Sequence, residues 1–157
     1  MRYFDDIEVQ VPELIGHYDL RAEEMIEFAR RWDPQPFHTD PEAAAKSMFG
    51  GLTASSLHLF AICTRLFFDQ PRPMAILAML GKDQVRFPAP GRPGDRLSYR
   101  TQCIDKRLSR SKPDRGIIVL ADELQNASGT SLMMQHVTLL LATRSGRDHQ
   151  HGLNSTE

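Results

Sequence analysis

The sequence has few of the features that mark several large classes of protein. It contains only two cysteines, Cys63 and Cys103, which lie in apolar stretches and are not spaced as metal ligands or as a redox pair. No stretch approaches the roughly 20 apolar residues of a membrane helix, and the first residues lack the basic start and apolar run of a signal peptide. We therefore expect a cytoplasmic protein with reduced, buried cysteines and no membrane segment.

The sequence also lacks an excess of charge of either sign. Nineteen basic and 20 acidic residues give a formal net charge of -1, which provides no electrostatic reason to expect nucleic acid or an anionic membrane as a partner. With 157 residues, of which 41% are hydrophobic, the chain can fill one core. We predict a single domain over residues 1–144 and a polar, disordered tail over residues 145–157.

Helical spacing and proline positions organise the first third of the chain. Apolar residues recur at helical spacing from Ala22 to Trp32, which predicts an amphipathic helix. Pro34 and Pro36 disfavour helix in the residues before them, so the segment 33–38 is predicted to be a stiff loop. Asp40 followed by proline is typical of a new helix start.

The middle and end of the chain predict one long helix and then a sheet. Apolar residues surround the helical axis from Thr53 to Phe68, which favours burial on nearly all sides. Later segments read as strands bounded by turn residues. They are 75–80, 83–87, 97–108, 116–126 and 131–144, and a further short strand is predicted over 15–20. The fold class is therefore α+β, with an antiparallel sheet wrapped around one helix.

Asp33 and His38 are candidates for proton chemistry. A carboxylate and an imidazole held in one short loop can share a water molecule and move a proton onto and off it near neutral pH. Judged on these two residues alone, a structural explanation is favoured: Asp33 would end a helix and His38 would pack against its neighbours.

The segment Asp33-Pro34-Gln35-Pro36-Phe37-His38-Thr39-Asp40 resembles the motif Asp-x-Asn-Pro-x-His-x-Asp of the MaoC-like, (R)-specific enoyl-CoA hydratases. Phe49–Ser55 resembles the segment that leads into the helix of that family, and Arg86–Asp95 resembles the strand and turn that follow it. The resemblance extends over about residues 11–144. It implies a hot-dog fold, in which a curved antiparallel sheet wraps around one long central helix, and at least a homodimer.

The resemblance also implies an activity and a set of site residues. The activity is the addition or removal of water across the C2-C3 double bond of an enoyl thioester, with coenzyme A as part of the substrate and with no metal or other cofactor. Asp33 and His38 would be catalytic, and Gln35, Ser55 and Ser56 would contact the substrate. The backbone N–H of Ser56, where the family usually has glycine, would bind the thioester oxygen.

Two departures from the family pattern keep other functions open. Gln35 replaces the asparagine of the motif with an amide that is one methylene longer, and Ser56 adds a side chain at the glycine position. The alternatives are a hot-dog acyl-CoA thioesterase and a non-catalytic subunit that binds acyl thioesters. The acyl chain, the physiological direction, the acid and base roles of Asp33 and His38, and the oligomer size stay open.

Several weaker signals have structural explanations. Basic residues cluster around one predicted hairpin turn. They would either bind a nucleotide phosphate or form a solvated turn, and the solvated turn is favoured. They are Lys106, Arg107, Arg110, Lys112 and Arg115. His58 and His136 have no partner at the spacing of metal ligands, so we expect structural roles for both.

Overall fold

The computed structural model describes residues 1–145, and a five-stranded antiparallel sheet forms most of it. The strands lie in the order β1-β3-β4-β5-β2, so β1 and β2 form the two edges. Short turns join β3 to β4 and β4 to β5, as expected for antiparallel neighbours. The bounds are Pro12–Asp19 (β1), Ile76–Arg86 (β2), Arg96–Leu108 (β3), Arg115–Gln125 (β4) and Ser131–Ala142 (β5).

Four α-helices lie between the first two strands in the sequence. They are Ala22–Trp32 (α1), Pro36–Thr39 (α2), Pro41–Ala45 (α3) and Ser56–Asp69 (α4), and a 3-10 helix, Phe4–Asp6, precedes the sheet. The predicted bounds of α1 and the predicted cap at Asp40 are confirmed. The prediction of a loop throughout residues 33–38 was wrong, because Pro36 occupies the first position of α2, where a missing N–H costs no helical hydrogen bond.

Helix α4 packs against the sheet through one face. Leu59, Ile62, Cys63 and Leu66 are buried in a core that also contains residues of β3, β4 and β5. The expectation that α4 is buried on nearly all sides was wrong for the chain by itself, because the sheet covers only one face. On the opposite face, Phe68 is 63% exposed.

Each predicted strand corresponds to a strand of the sheet, but the bounds differ. The two strands predicted over 75–80 and 83–87 are one strand, β2, with a bulge near Gln84, whose φ is 53°. The strand predicted over 15–20 corresponds to β1, which begins three residues earlier, at Pro12. Most of the predicted tail, residues 146–157, lies outside the described residues. Among residues 1–145, no helix has both the length and the apolar character needed to cross a bilayer.

Candidate active site

Asp33 ends α1, and its side chain is held by the residue that caps α4. The Ser55 hydroxyl donates a hydrogen bond of 2.7 Å to Oδ2 of Asp33. The same Ser55 oxygen accepts from the N–H of Leu57 at 3.2 Å, as expected of an N-cap. Ser55 is completely buried, whereas a quarter of the Asp33 side chain is exposed. The carboxylate is therefore fixed from inside the protein and remains partly accessible to solvent.

His38 lies in α2 with its ring orientation fixed by Thr53. Its Nδ1 lies 2.8 Å from the Thr53 carbonyl oxygen and 3.1 Å from the Thr53 hydroxyl. A carbonyl oxygen can only accept, so Nδ1 carries the hydrogen, and in the neutral ring Nε2 is an acceptor. Nε2 lies 3.5 Å from Oδ2 of Asp33. This separation is longer than a good direct hydrogen bond, and the two acceptors can share one water molecule.

A groove lies beside His38 and is bounded by aromatic side chains. The rings of Phe37 and His38 meet edge to face with centroids 4.6 Å apart, and Phe37 also packs against Phe49 at 5.0 Å. The start of α4 and the segment after β2 form the other walls. Those walls contain Ser56, Leu59, Phe87, Pro88, Ala89, Pro90 and Gly91. A ligand in this groove would lie beside the imidazole.

Arg92 holds the segment that leads to Thr53. One guanidinium nitrogen donates to the Gly51 carbonyl at 2.9 Å, and the other donates to the Phe49 carbonyl. The Arg92 backbone N–H is itself bound by Asp95 at 2.8 Å. Since Thr53 orients His38, Arg92 supports the site indirectly, by holding the segment that precedes Thr53. Neither Arg92 nor Thr53 was predicted to be functional, because Arg92 acts on distant carbonyl groups and Thr53 acts on a histidine 15 residues away.

The three residues predicted to bind substrate occupy different places. Ser56 is the first residue of α4 and lines the groove, so its N–H is one of those that the helix cannot use internally. Ser55 contacts Asp33 instead of facing the groove. Gln35 is exposed, and its backbone oxygen accepts from the His38 N–H at 2.9 Å. Contact of these residues with a substrate stays a prediction.

Several of the remaining candidates have structural partners. In the basic cluster, Lys106 donates to the Ile7 carbonyl at 2.7 Å, and Arg107 pairs with Asp105 at 3.1 Å. His58 is buried and stacks on Phe28, with ring centroids 4.6 Å apart. Among residues 1–145, no three His, Cys, Asp or Glu side chains are placed to hold a metal ion together.

Comparison with known proteins identifies the family. The model for the MaoC-like domain matches residues 7–121. The chain belongs to the MaoC-like dehydratase family. A crystal structure of a MaoC-like dehydratase from Rhodospirillum rubrum is 33% identical, with a TM-score of 0.86, and the match covers 92% of this chain and 99% of that one. The fold is therefore the hot-dog fold of these proteins, as the sequence predicted.

Two more distant proteins are also similar. The Bacillus subtilis protein YdeM is 26% identical over 123 residues, which are 78% of this chain and 86% of that protein. The R-hydratase PhaJ1 from Pseudomonas aeruginosa has a TM-score of 0.70 at 20% identity, and the match covers 90% of this chain and 85% of that one. At this identity the likeness to PhaJ1 supports the fold alone.

Proposed function

We propose that this MaoC-like protein adds water to, or removes it from, the C2-C3 double bond of an enoyl thioester, with enoyl-CoA as the substrate. The observation that carries the proposal is the separation of 3.5 Å between Asp33 Oδ2 and Nε2 of His38, a residue that lines the groove. Each atom is oriented by its own partner, Thr53 or Ser55, so both can face the same water. Hydration requires a water held by two groups that exchange protons.

The proposed reaction uses the pair as a proton relay. Water donates one hydrogen toward Nε2 of His38 and the other toward Asp33, which aligns a lone pair of its oxygen with C3. As oxygen bonds to C3, one proton passes to the pair, and the pair delivers one proton to C2. The pair returns to its starting protonation, and dehydration is the reverse.

The start of α4 would stabilise the charge that develops on the thioester oxygen. Bond formation at C3 moves electron density toward this oxygen, which acquires enolate character. The Ser56 N–H is at the N-terminus of a 14-residue helix, where the helix dipole favours negative charge. Because the donor is a backbone group, the replacement of the family glycine by serine retains it.

We further propose that the chain works as a homodimer. Strand β2 is an edge of the sheet and carries exposed apolar side chains, including Met79, which is 59% exposed. Unpaired edges with apolar side chains favour association with another strand. Side-by-side pairing of two copies through this edge would extend the sheet.

One assay separates the hydratase from its two alternatives. The enoyl-thioester absorbance is followed with 2-butenoyl-CoA and 2-octenoyl-CoA, and free thiol is measured in parallel. Loss of absorbance without free thiol supports the hydratase. Release of thiol indicates a thioesterase, and binding of either substrate without loss of absorbance or release of thiol supports a binding subunit.

A further inference from the structure

A second cavity lies between α4 and the sheet, away from Asp33 and His38. Its volume is about 110 Å³, several times the roughly 10–15 Å³ that one water molecule requires. Its walls come from α4 and from strands β2 to β5, and most of them are apolar. Lys82 and Asp122 are the two charged residues that line it. Asp122 is buried and Lys82 is partly exposed, so both charged groups lose water contacts to apolar walls at a cost in free energy.

The Lys82 ammonium makes fewer hydrogen bonds than its three N–H groups allow. Its ammonium donates to the Gln135 side-chain oxygen at 3.2 Å and lies 5.1 Å from the centroid of the Phe60 ring. An ammonium group has three donors, and this amide is a neutral acceptor. The cation therefore stands at the cavity without a carboxylate in direct contact among the described residues.

Asp122 does not form an ion pair with Lys82. Its two oxygens accept from Thr101 at 2.6 Å and from Gln135 at 3.0 Å, so Gln135 stands between Asp122 and Lys82. Burial raises the pKa of the Asp122 carboxyl above its usual value, which favours the neutral form. The Lys82 charge is thus left available for an anion that enters the cavity.

The cavity and the candidate active site lie along the same helix, α4. A furrow on the exposed face of this helix shares Thr64, Phe68 and Lys82 with the cavity. Phe60 lines the furrow, Phe87 lines the groove beside His38, and the two rings touch with centroids 5.7 Å apart. Phe60 lies one helical turn beyond Ser56 and Thr64 lies two turns beyond, which are about 6 Å and 12 Å.

From this geometry we infer that Lys82 binds a carboxylate at the far end of the acyl chain, so that the preferred substrates are enoyl thioesters of dicarboxylic acids. The inference rests on the proposed function for the thioester end of the ligand. The apolar walls would contact the methylene groups, and Lys82 would supply a charge-assisted hydrogen bond to the terminal group. A terminal methyl group would leave the ammonium without that partner.

The test compares substrates of equal length that end in a carboxylate or in a methyl group. The pairs are 2-hexenedioyl-CoA with 2-hexenoyl-CoA, and 2-octenedioyl-CoA with 2-octenoyl-CoA. In the natural protein, and in at least one of the two pairs, we expect kcat/KM to be at least about tenfold higher for the dicarboxylic substrate than for its methyl partner. This is the effect expected of one charge-assisted hydrogen bond. Lys82→Met is expected to abolish this preference, and Lys112→Met, at an exposed turn, is expected to keep it.

A binding measurement separates failure of this inference from failure of the proposed function. Calorimetry with the saturated octanedioyl-CoA and octanoyl-CoA requires no turnover, and thermal melting confirms that Lys82→Met is folded. If no enoyl thioester is hydrated, the proposed function is wrong, yet tighter binding of octanedioyl-CoA that Lys82→Met abolishes would still support the carboxylate site. Equal preference in the natural protein and in Lys82→Met, by rate or by binding, would overturn it.

Discussion

The Ser55 hydroxyl binds Asp33 at 2.7 Å and at the same time caps α4 through the N–H of Leu57. One oxygen thus joins the end of α1 to the beginning of α4. Asp33 cannot turn away from His38 without breaking its hydrogen bond to Ser55, and removal of the Ser55 hydroxyl would uncap the helix. The position of the carboxylate and the stability of α4 are therefore coupled.

Replacement of Ser55 by alanine is expected to lower both stability and activity. Loss of the cap and of the bond to Asp33 should reduce the free energy of unfolding by about 1–3 kcal/mol, measured by urea denaturation. Release of the carboxylate should lower kcat/KM by about tenfold to hundredfold. Asn126→Ala removes side-chain acceptors of backbone N–H groups in the β4–β5 turn and is the matched control. Equal kcat/KM in the two variants would show that Ser55 has only a structural role.

Replacement of Ser56 by proline removes the proposed oxyanion donor with little change in the helix. Proline is well tolerated at the first position of a helix, and Ser55, with φ -59° and ψ 141°, already has the conformation that precedes proline. We expect kcat to fall by about 10²–10³ in Ser56→Pro. Ser56→Ala and Ser56→Gly keep the N–H and should retain most of the activity. Similar losses in all three variants would assign the effect to the side chain instead.

Lysine is not expected to substitute for Arg92. A single ammonium cannot reach the carbonyls of Phe49 and Gly51 with the fixed fork that the guanidinium provides. Arg92→Lys should therefore lower kcat by about tenfold and shift the ¹⁵N resonances of the His38 ring, which report its contact with Thr53. The control is Arg96→Lys, at an exposed pair with Asp19. Unchanged His38 resonances in Arg92→Lys would contradict the supporting role.

His58 is expected to make the fold sensitive to acid. Burial lowers its pKa, although Glu24, 3.7 Å away, opposes this shift. The unfolded chain takes up the proton near pH 6.5, whereas the native protein does so only at lower pH, so acidification favours unfolding. The free energy of unfolding should decrease below about pH 6.5 and be unaffected by His58 above it.

The variant His58→Phe isolates this contribution. Phenylalanine can keep the stacking on Phe28, and no hydrogen bond of Nδ1 is lost because this buried atom has no partner among the described residues. The difference in unfolding free energy between the natural protein and His58→Phe should be constant above pH 6.5. Below that pH the natural protein should lose more stability than the variant. Parallel curves down to pH 5 would rule out His58 as the cause.

The sequence predicted those parts of the fold that local patterns determine. Helix α1 follows from apolar spacing, the cap at Asp40 from the proline after it, and β4 from a run of strand-forming residues between turn residues. The exposed face of α4 could not be predicted, because periodicity shows which residues are apolar but not how many sides the sheet covers. The short helix at Pro36 was missed because a proline permits a helix start as readily as a loop.

The candidate site was predictable only where a motif was present. The motif that holds Asp33 and His38 was visible in eight consecutive residues. Their partners Ser55 and Thr53 lie 22 and 15 residues away, and Arg92 acts through carbonyl groups about 40 residues away. Backbone acceptors leave no trace in the sequence, since every residue has one. The sequence likewise could not show that Lys82 and Asp122 line the same cavity, because they lie on different strands, β2 and β4.

The most direct test of the proposed function is the initial rate of hydration of 2-hexenoyl-CoA, measured as loss of enoyl-thioester absorbance in five proteins. The natural protein is compared with Asp33→Asn and His38→Gln, and with Asp83→Asn and His136→Gln, a second aspartate and histidine pair 3.8 Å apart on β2 and β5. We predict losses of at least about 10² for the first two variants and normal rates for the second two. Near-normal rates in both Asp33→Asn and His38→Gln would contradict the assignment.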